Sequence, residues 1–191
     1  MERLGIFGGT FDPVHVGHVA AASAARYQLA LDRVLLVVAA DPWQKHGHVV
    51  APAAARYEMV AAAIEGVDGL EASRIEVERE GPTYTLDTVR ALAQPGRQLF
   101  LIVGRDVASA IGTWHGVDEL QRAATLAVVE REGDTTPLPH GWSIAEVTMP
   151  RLDVSSSDLR ARIARGEPVD FLVPQPAVSV IRARGLYTAA Q

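Results

Sequence analysis

Two histidines, His15 and His18, stand shortly after a glycine pair in the stretch Gly8-Gly9-Thr10-Phe11-Asp12-Pro13-Val14-His15-Val16-Gly17-His18. Residues without a Cβ directly after a strand let backbone amides approach a bulky anion before a helix begins. The pair therefore reads as a phosphate-binding turn, or more plainly as a structural one. It is not a Walker A loop, since no Gly-Lys-Ser/Thr follows, nor the Gly-x-Gly-x-x-Gly dinucleotide fingerprint. A three-residue separation at a helix start puts both imidazoles on one face, toward the same anion. Two alternatives stay open: His15 caps the turn while His18 packs in the core, or the pair binds zinc. For zinc, no third ligand with good spacing is evident, and His46 and His48 flank Gly47 in a loop.

A second anion site is spelled by Val154-Ser155-Ser156-Ser157-Asp158-Leu159-Arg160, where serines stand at a helix start and Arg160 lies one turn in. Hydroxyls, free amides and a guanidinium together suit phosphate. The plainer reading is an ordinary N-cap beside a solvated arginine.

Short apolar runs alternate with helical patterns, and these elements must position the two segments. Leu4 to Phe7 reads as a buried strand, Val16 to Leu29 as an alanine-rich helix, and Arg33 to Val38 as a second strand. Ala53 to Glu65 is helical and ends at Gly66, Leu70 to Val77 reads as a strand, and Thr85 to Ala93 is helical and stops before Pro95. Strands are expected over Gln98 to Val103, Thr125 to Val129 and Ser143 to Val147. Ser156 to Arg165 is a helix closed by Gly166, and a short last helix runs from Gln175 to Arg184. Gly133 to Gly141 is a surface loop rather than a linker. Repeated β-then-α order predicts an α/β fold, a doubly wound parallel sheet with helices on both faces, whose ligands sit beyond the carboxyl ends of strands near a reversal of strand order. The first strand-to-helix turn is such a place.

At 191 residues the chain has room for one domain with a sizeable core, 1–191. With 48% hydrophobic and 21% charged residues it has ordinary globular usage. No apolar run approaches the roughly 20 residues that span a bilayer, and the first residues lack a signal-peptide pattern, so a cytoplasmic location without a membrane partner is expected. Zero cysteines remove thiolate nucleophiles and Cys-based zinc sites, so no metal ligand set is assigned. A formal charge of -5 argues against a nucleic-acid partner, because that mode needs a basic surface. Homo-oligomerisation is left open.

Residues 8 to 18 resemble the signature of the nucleotidyltransferase superfamily with the His-x-Gly-His motif, and residues 154 to 160 resemble its Ile-Ser-Ser-Thr-x-x-Arg motif, with Val154 and Ser157 as mild departures. The resemblance implies a Rossmann-like sheet of the nucleotidyltransferase (HUP) type with a small helical C-terminal part. It implies ATP contacts for Gly8, Gly9, Thr10, Phe11, His15, His18, Ser155, Ser156 and Arg160, with both histidines stabilising charge at the reacting phosphorus.

Three further segments resemble the bacterial nicotinate mononucleotide adenylyltransferase family: Pro42-Trp43-Gln44-Lys45, Gly81 to Thr88, and Val103-Gly104-Arg105-Asp106 continuing to Thr113-Trp114-His115. That resemblance implies that the amides of Tyr84 and Thr85 hold the nicotinate carboxylate and that the ring stacks on Trp114. It further implies that Gly104 and Asp106 approach the adenosine ribose, with Arg105 standing where the family usually has a small residue, and that Lys45 joins His15, His18 and Arg160 in the catalytic set. Physical chemistry agrees with this acceptor site, since a helix N-terminus prefers an anion and an indole face suits a pyridinium. On its own, Trp114 reads equally as a core or interface aromatic, and Lys45 as a solvated lysine. Lys45 to Val50 fits the family worst, as members often carry Pro-Pro-His-Lys there. The likeness runs from residue 4 through Gly185-Leu186-Tyr187.

The implied reaction transfers AMP from ATP to nicotinate mononucleotide, giving nicotinate adenine dinucleotide and pyrophosphate, with a magnesium ion carried mainly by ATP and water. The rivals are phosphopantetheine adenylyltransferase, a nicotinamide-preferring or dual-specificity enzyme, and a silent nucleotide-binding regulatory module. Gly81 to Thr88, Trp114 and the longer C-terminal part argue against the first. Intact His15, His18 and Arg160 argue against the last.

Overall fold

A computed structural model describes residues 1–40, 50–79, 83–130 and 135–188. Strands are β1 Glu2–Gly9, β2 Arg33–Val38, β3 Leu70–Ser73, β4 Arg97–Gly104, β5 Ala124–Glu130 and β6 Ile144–Thr148. Helices are α1 Val16–Gln28, α2 Ala53–Ala63, α3 Thr85–Leu92, α4 Arg105–Ser109, α5 Val117–Ala123, α6 Ser156–Ala164 and α7 Gln175–Arg184. The six strands form one sheet in the order β3-β2-β1-β4-β5-β6, and every pairing is parallel. This is the doubly wound α/β arrangement that the alternating β and α patterns predict. The strand order reverses between β1 and β4, which opens a crevice beyond their carboxyl ends.

Side chains alternate across the sheet, as the two-residue period of a strand requires. Val34, Leu36 and Val38 face a core shared with Ala21, Ala22 and Ala25 of α1, Met59 and Val60 of α2, and Val178 and Ile181 of α7. Leu35 and Val37 face a second core with Leu86 and Val89 of α3 and Leu120 of α5. Both faces are covered, so β2, β4 and β5 carry near-continuous apolar runs, as buried parallel strands must.

The elements read from the sequence are present, most with ends shifted by one or two residues, and two regions differ more. The strand expected over Leu70 to Val77 stops at Ser73, because its partner β2 pairs only as far as Val37 opposite Ser73 and β3 is an edge strand. The chain then turns, with the amide of Glu78 donating to the carbonyl of Arg74. Ile75 and Val77 imitate strand alternation, yet the turn buries Glu76, which is 7% exposed. Between β4 and β5 the sequence offers no helix, whereas α4, a 3-10 turn Ile111–Thr113 and α5 fill the connection. These pieces are shorter than the window of roughly 11 residues over which helical periodicity can be read. Gly116 introduces α5 with φ +67°, and a Cβ there would lie 2.3 Å from Leu86 Cδ2, so the glycine is what lets α5 lie against α3.

Candidate active site

The end of β1 and the start of α1 enclose the glycine turn. Gly9 is required by Phe11, whose ring would lie 2.8 Å from any Cβ at that position. Phe11 itself is buried with φ 50°, uncommon for a residue with a side chain, and its ring meets Phe7 edge-on at 5.8 Å and His18 at 5.0 Å. Gly8 has open space where a Cβ would stand, on the side of the crevice.

His15 occupies the N-cap of α1, and its amide donates to Nδ1 of His18 at 3.2 Å, while the amide of His18 donates back to the His15 carbonyl at 2.9 Å. The two rings lie stacked, 3.7 Å apart at 26°. Because Nδ1 of His18 accepts a hydrogen bond from the backbone, the neutral ring carries its own proton on Nε2. His15 stands at the N-cap and the His18 ring packs against Phe11, as the plainer alternative has it, and the two residues supply the two halves of a capping box. Gly17 explains the pair's spacing, since a Cβ there would stand 3.0 Å from His15 Nδ1 and 3.2 Å from Val154.

The second segment lies directly against the first, although more than 130 residues separate them. Ser155 is the N-cap of α6, its Oγ accepting from the amide of Asp158 at 3.1 Å. The hydroxyl of Ser156 donates to the carbonyl of Pro13 at 2.8 Å. Arg160 is not a solvated arginine: its side chain is 22% exposed, Nη1 donates to the carbonyl of Asp12 at 2.7 Å, and Nη2 donates to Ser157 Oγ at 3.3 Å. The helix start, the guanidinium and both histidines line one cavity of about 610 Å³, together with Gly8, Gly9, Thr10, Phe11, Gly104 and Asp106. Asp106 reaches back over Gly104, where a Cβ would stand 2.6 Å from Oδ1. Arg105 turns away to Glu130 and to the carbonyl of Thr136, so the family departure at that position pins the β5–β6 connection and lines neither substrate-sized cavity.

A smaller cavity of about 230 Å³ lies across the glycine turn and shares Phe7, Gly8, Gly9, Thr10, Gly104 and Val107 with the first. Its far end holds Glu76, Thr83, Tyr84, Thr85, Trp114 and His115. Tyr84 is the N-cap of α3 and makes no side-chain cap bond, so the first amides of that helix point to whatever occupies its start. Trp114 packs against the second core, as its plainer reading has it, and also lines the cavity, and its buried indole Nε1 has no partner among the described residues. The rings of Tyr84 and His115 meet at 4.6 Å with their planes tilted by 34°. Glu76 accepts from the hydroxyl of Thr88 at 2.6 Å, and burial holds its carboxyl above the usual carboxylate range against that hydrogen bond and the charge of Arg79.

Lys45, His46, His48, Pro42-Trp43, Gly81 and Pro82 lie outside the described residues. Four residues with structural consequences for the site have no role assigned by sequence: Asp12, Arg56, Glu76 and Tyr187. Arg56 carries a signal, for it falls on the apolar stripe Arg56, Met59, Val60, Ala63 of α2, a position where a charge must find partners. It finds three backbone carbonyls: Ala51 from Nε at 3.0 Å, Thr10 from Nη1 at 2.7 Å and Ala40 from Nη2 at 3.1 Å.

The chain matches the cytidylyltransferase-like family over residues 6–162. It is 40% identical over 187 residues to a probable nicotinate-nucleotide adenylyltransferase of Exiguobacterium sibiricum, covering 97% of this chain and 98% of the relative. It is 43% identical over 186 residues to one of Streptomyces coelicolor, covering 94% and 98%. Among solved structures, the Plasmodium falciparum nicotinic acid mononucleotide adenylyltransferase complexed with NaAD superposes with a TM-score of 0.77 at 17% identity, covering 98% of each chain. At that identity the superposition speaks to the fold.

Proposed function

This chain belongs to the cytidylyltransferase-like family and, within it, to the nicotinate-nucleotide adenylyltransferases, and from that premise we propose that it transfers AMP from ATP to nicotinate mononucleotide, releasing pyrophosphate. The observation that carries the proposal is the pair of cavities that meet over Gly8 to Thr10, one polar and ringed by phosphate donors, the other ending at a helix N-terminus and an indole. Two substrates whose reacting phosphates meet at that turn need such a layout.

In the proposed reaction ATP occupies the larger cavity. Its triphosphate lies against the glycine turn, His15, His18, the start of α6 and Arg160, and its ribose lies near Gly104 and Asp106. Nicotinate mononucleotide occupies the smaller cavity, its carboxylate at the amides of Tyr84 and Thr85 and its ring on Trp114. A 5′-phosphate oxygen attacks the α-phosphorus, the bond to the bridging oxygen breaks, and pyrophosphate leaves with that oxygen and the electron pair. Positioning and charge stabilisation supply the rate in transfers of this type. His18 donates from Nε2 to developing charge, and Arg160 and Lys45 offset charge on the leaving group. The magnesium of this proposal would be held mainly by the triphosphate and water, since that ion keeps several waters and takes few protein ligands, and it would offset charge on the phosphates. The proposed setting is the cytoplasm.

Pyrophosphate release with ATP and a panel of nicotinate mononucleotide, nicotinamide mononucleotide and phosphopantetheine tests the reading. Turnover with the first and little with the others is expected. Turnover with phosphopantetheine alone, or ATP binding with no turnover of any acceptor, would overturn it.

A further inference from the structure

Asp12 sits in the wall of the larger cavity with its carboxylate buried at 2% exposure. Oδ2 accepts from the amide of Val50 at 2.8 Å and Oδ1 from the amide of Ala51 at 3.1 Å. A third donor comes from a distant part of the chain, the hydroxyl of Tyr187, 2.7 Å from Oδ1. Tyr187 is itself buried and held at φ 63°, a left-handed conformation that an aromatic residue adopts only under constraint. Burial and the Asp12 carboxylate both push its hydroxyl pKa up, so it remains a donor throughout the physiological range.

Among the described residues Asp12 is also the carboxylate paired with Arg160, whose Nη1 lies 3.8 Å from Oδ2 while bonded to the backbone carbonyl of the same residue. The other neighbouring cation, Arg56, has Nε, Nη1 and Nη2 each committed to a backbone carbonyl. A buried carboxylate that loses a donor must find compensation, and Arg160 is the group placed to give it.

We propose that Tyr187 is a positioning residue for the ATP site, acting through Asp12: its hydroxyl satisfies the Asp12 carboxylate and so leaves the Arg160 guanidinium to the triphosphate. Without the hydroxyl, Arg160 is drawn from its long 3.8 Å ion pair with Asp12 into a closer one, and ATP competes with that pair for the same guanidinium. The inference rests on the assignment of ATP to the larger cavity, and it concerns the donor substrate alone.

The test is a cycle of Tyr187→Phe, Arg160→Ala and the double variant, with ATP affinity read by calorimetry without acceptor and fold checked by circular dichroism. Phe fills the same space, so only the hydroxyl is lost. Tyr187→Phe is expected to weaken ATP about 5- to 30-fold, to leave the acceptor KM unchanged, and to add nothing further in the Arg160→Ala background. A lowered melting temperature with unchanged ATP affinity would make Tyr187 merely structural and overturn the proposal. Additive losses in the double variant, or equal weakening of acceptor and ATP, would overturn it too. Because ATP binding is read without turnover, a wild type that binds ATP but transfers nothing fails the functional assignment and still leaves this cycle decisive.

Discussion

The backbone amide of His15 donates to Nδ1 of His18 across 3.2 Å, so an imidazole that lines the larger cavity also closes one half of the capping box of α1. Capping and the proposed catalytic role can therefore be separated at this residue. Asparagine places its carbonyl oxygen near where Nδ1 stood and has nothing where Nε2 stood. His18→Asn should keep the cap and the melting temperature while losing about 100- to 1000-fold in adenylyl transfer, the usual cost of removing one preorganised donor to developing charge. His18→Ala should lose the same activity and some stability as well. Near-normal turnover in His18→Asn, measured by pyrophosphate release, would return His18 to a purely structural role.

Arg160→Ala removes the proposed contact with the triphosphate, and a charge-assisted hydrogen bond is worth about 1.5 to 3 kcal/mol. The loss should appear in the ATP Michaelis constant and leave the acceptor constant near wild type. Arg160 also ties α6 to the carbonyl of Asp12, so a thermal melt should accompany the kinetics. Equal losses for both substrates would point to a displaced helix start.

Segments 8–18 and 154–160 are legible in the sequence because each is local: a turn, a cap and a helix start are specified by residues within a few positions of one another. That they belong to one site comes only from the family resemblance and not from local pattern, since the Ser156–Pro13 and Arg160–Asp12 bonds join distant parts of the chain. Asp12 and Tyr187 stand in plain view within recognisable motifs, but their partnership is a tertiary contact with no periodicity to betray it. Glu76 is hidden for the opposite reason, because Ile75 and Val77 imitate a strand that the edge position of β3 cuts short. The short helices between β4 and β5 depend on packing against α3 rather than on their own sequence.

Glu76 gives the stability curve a predictable slope. Burial raises its folded-state pKa above the unfolded value, so the folded chain binds more protons in the window between the two. Its contribution is present in full below the ordinary carboxylate value of about 4.3 and is lost as pH rises through the raised value. Glu76→Gln keeps an oxygen for the Thr88 hydroxyl and cannot ionise. The melting temperature of the variant should therefore gain on wild type as pH rises from about 4 toward 8, each kcal/mol reading as about 2–4 °C in a chain of this size. Melts by circular dichroism across that range check it, and a constant difference would show that Glu76 does not titrate in this window.

The smaller cavity should discriminate between acceptors that differ by one carboxylate against one carboxamide. Nicotinate mononucleotide should be preferred over nicotinamide mononucleotide by at least about tenfold, because a carboxylate accepts from two amides at once whereas a carboxamide turns an NH₂ toward one of them, at roughly 1 to 3 kcal/mol. The N-terminus of α3 favours the anion further. Trp114 presents the same indole to both rings, so Trp114→Ala should weaken both acceptors and preserve their ratio. Glu76 lines the same cavity and its charged form opposes a bound carboxylate, so Glu76→Gln should widen the ratio at neutral pH. Steady-state kinetics with each acceptor at saturating ATP measure all three. Equal kcat/KM for the two acceptors in the wild type would remove the carboxylate from the amides of Tyr84 and Thr85, and a ratio that collapses in Trp114→Ala would move the discrimination to the indole.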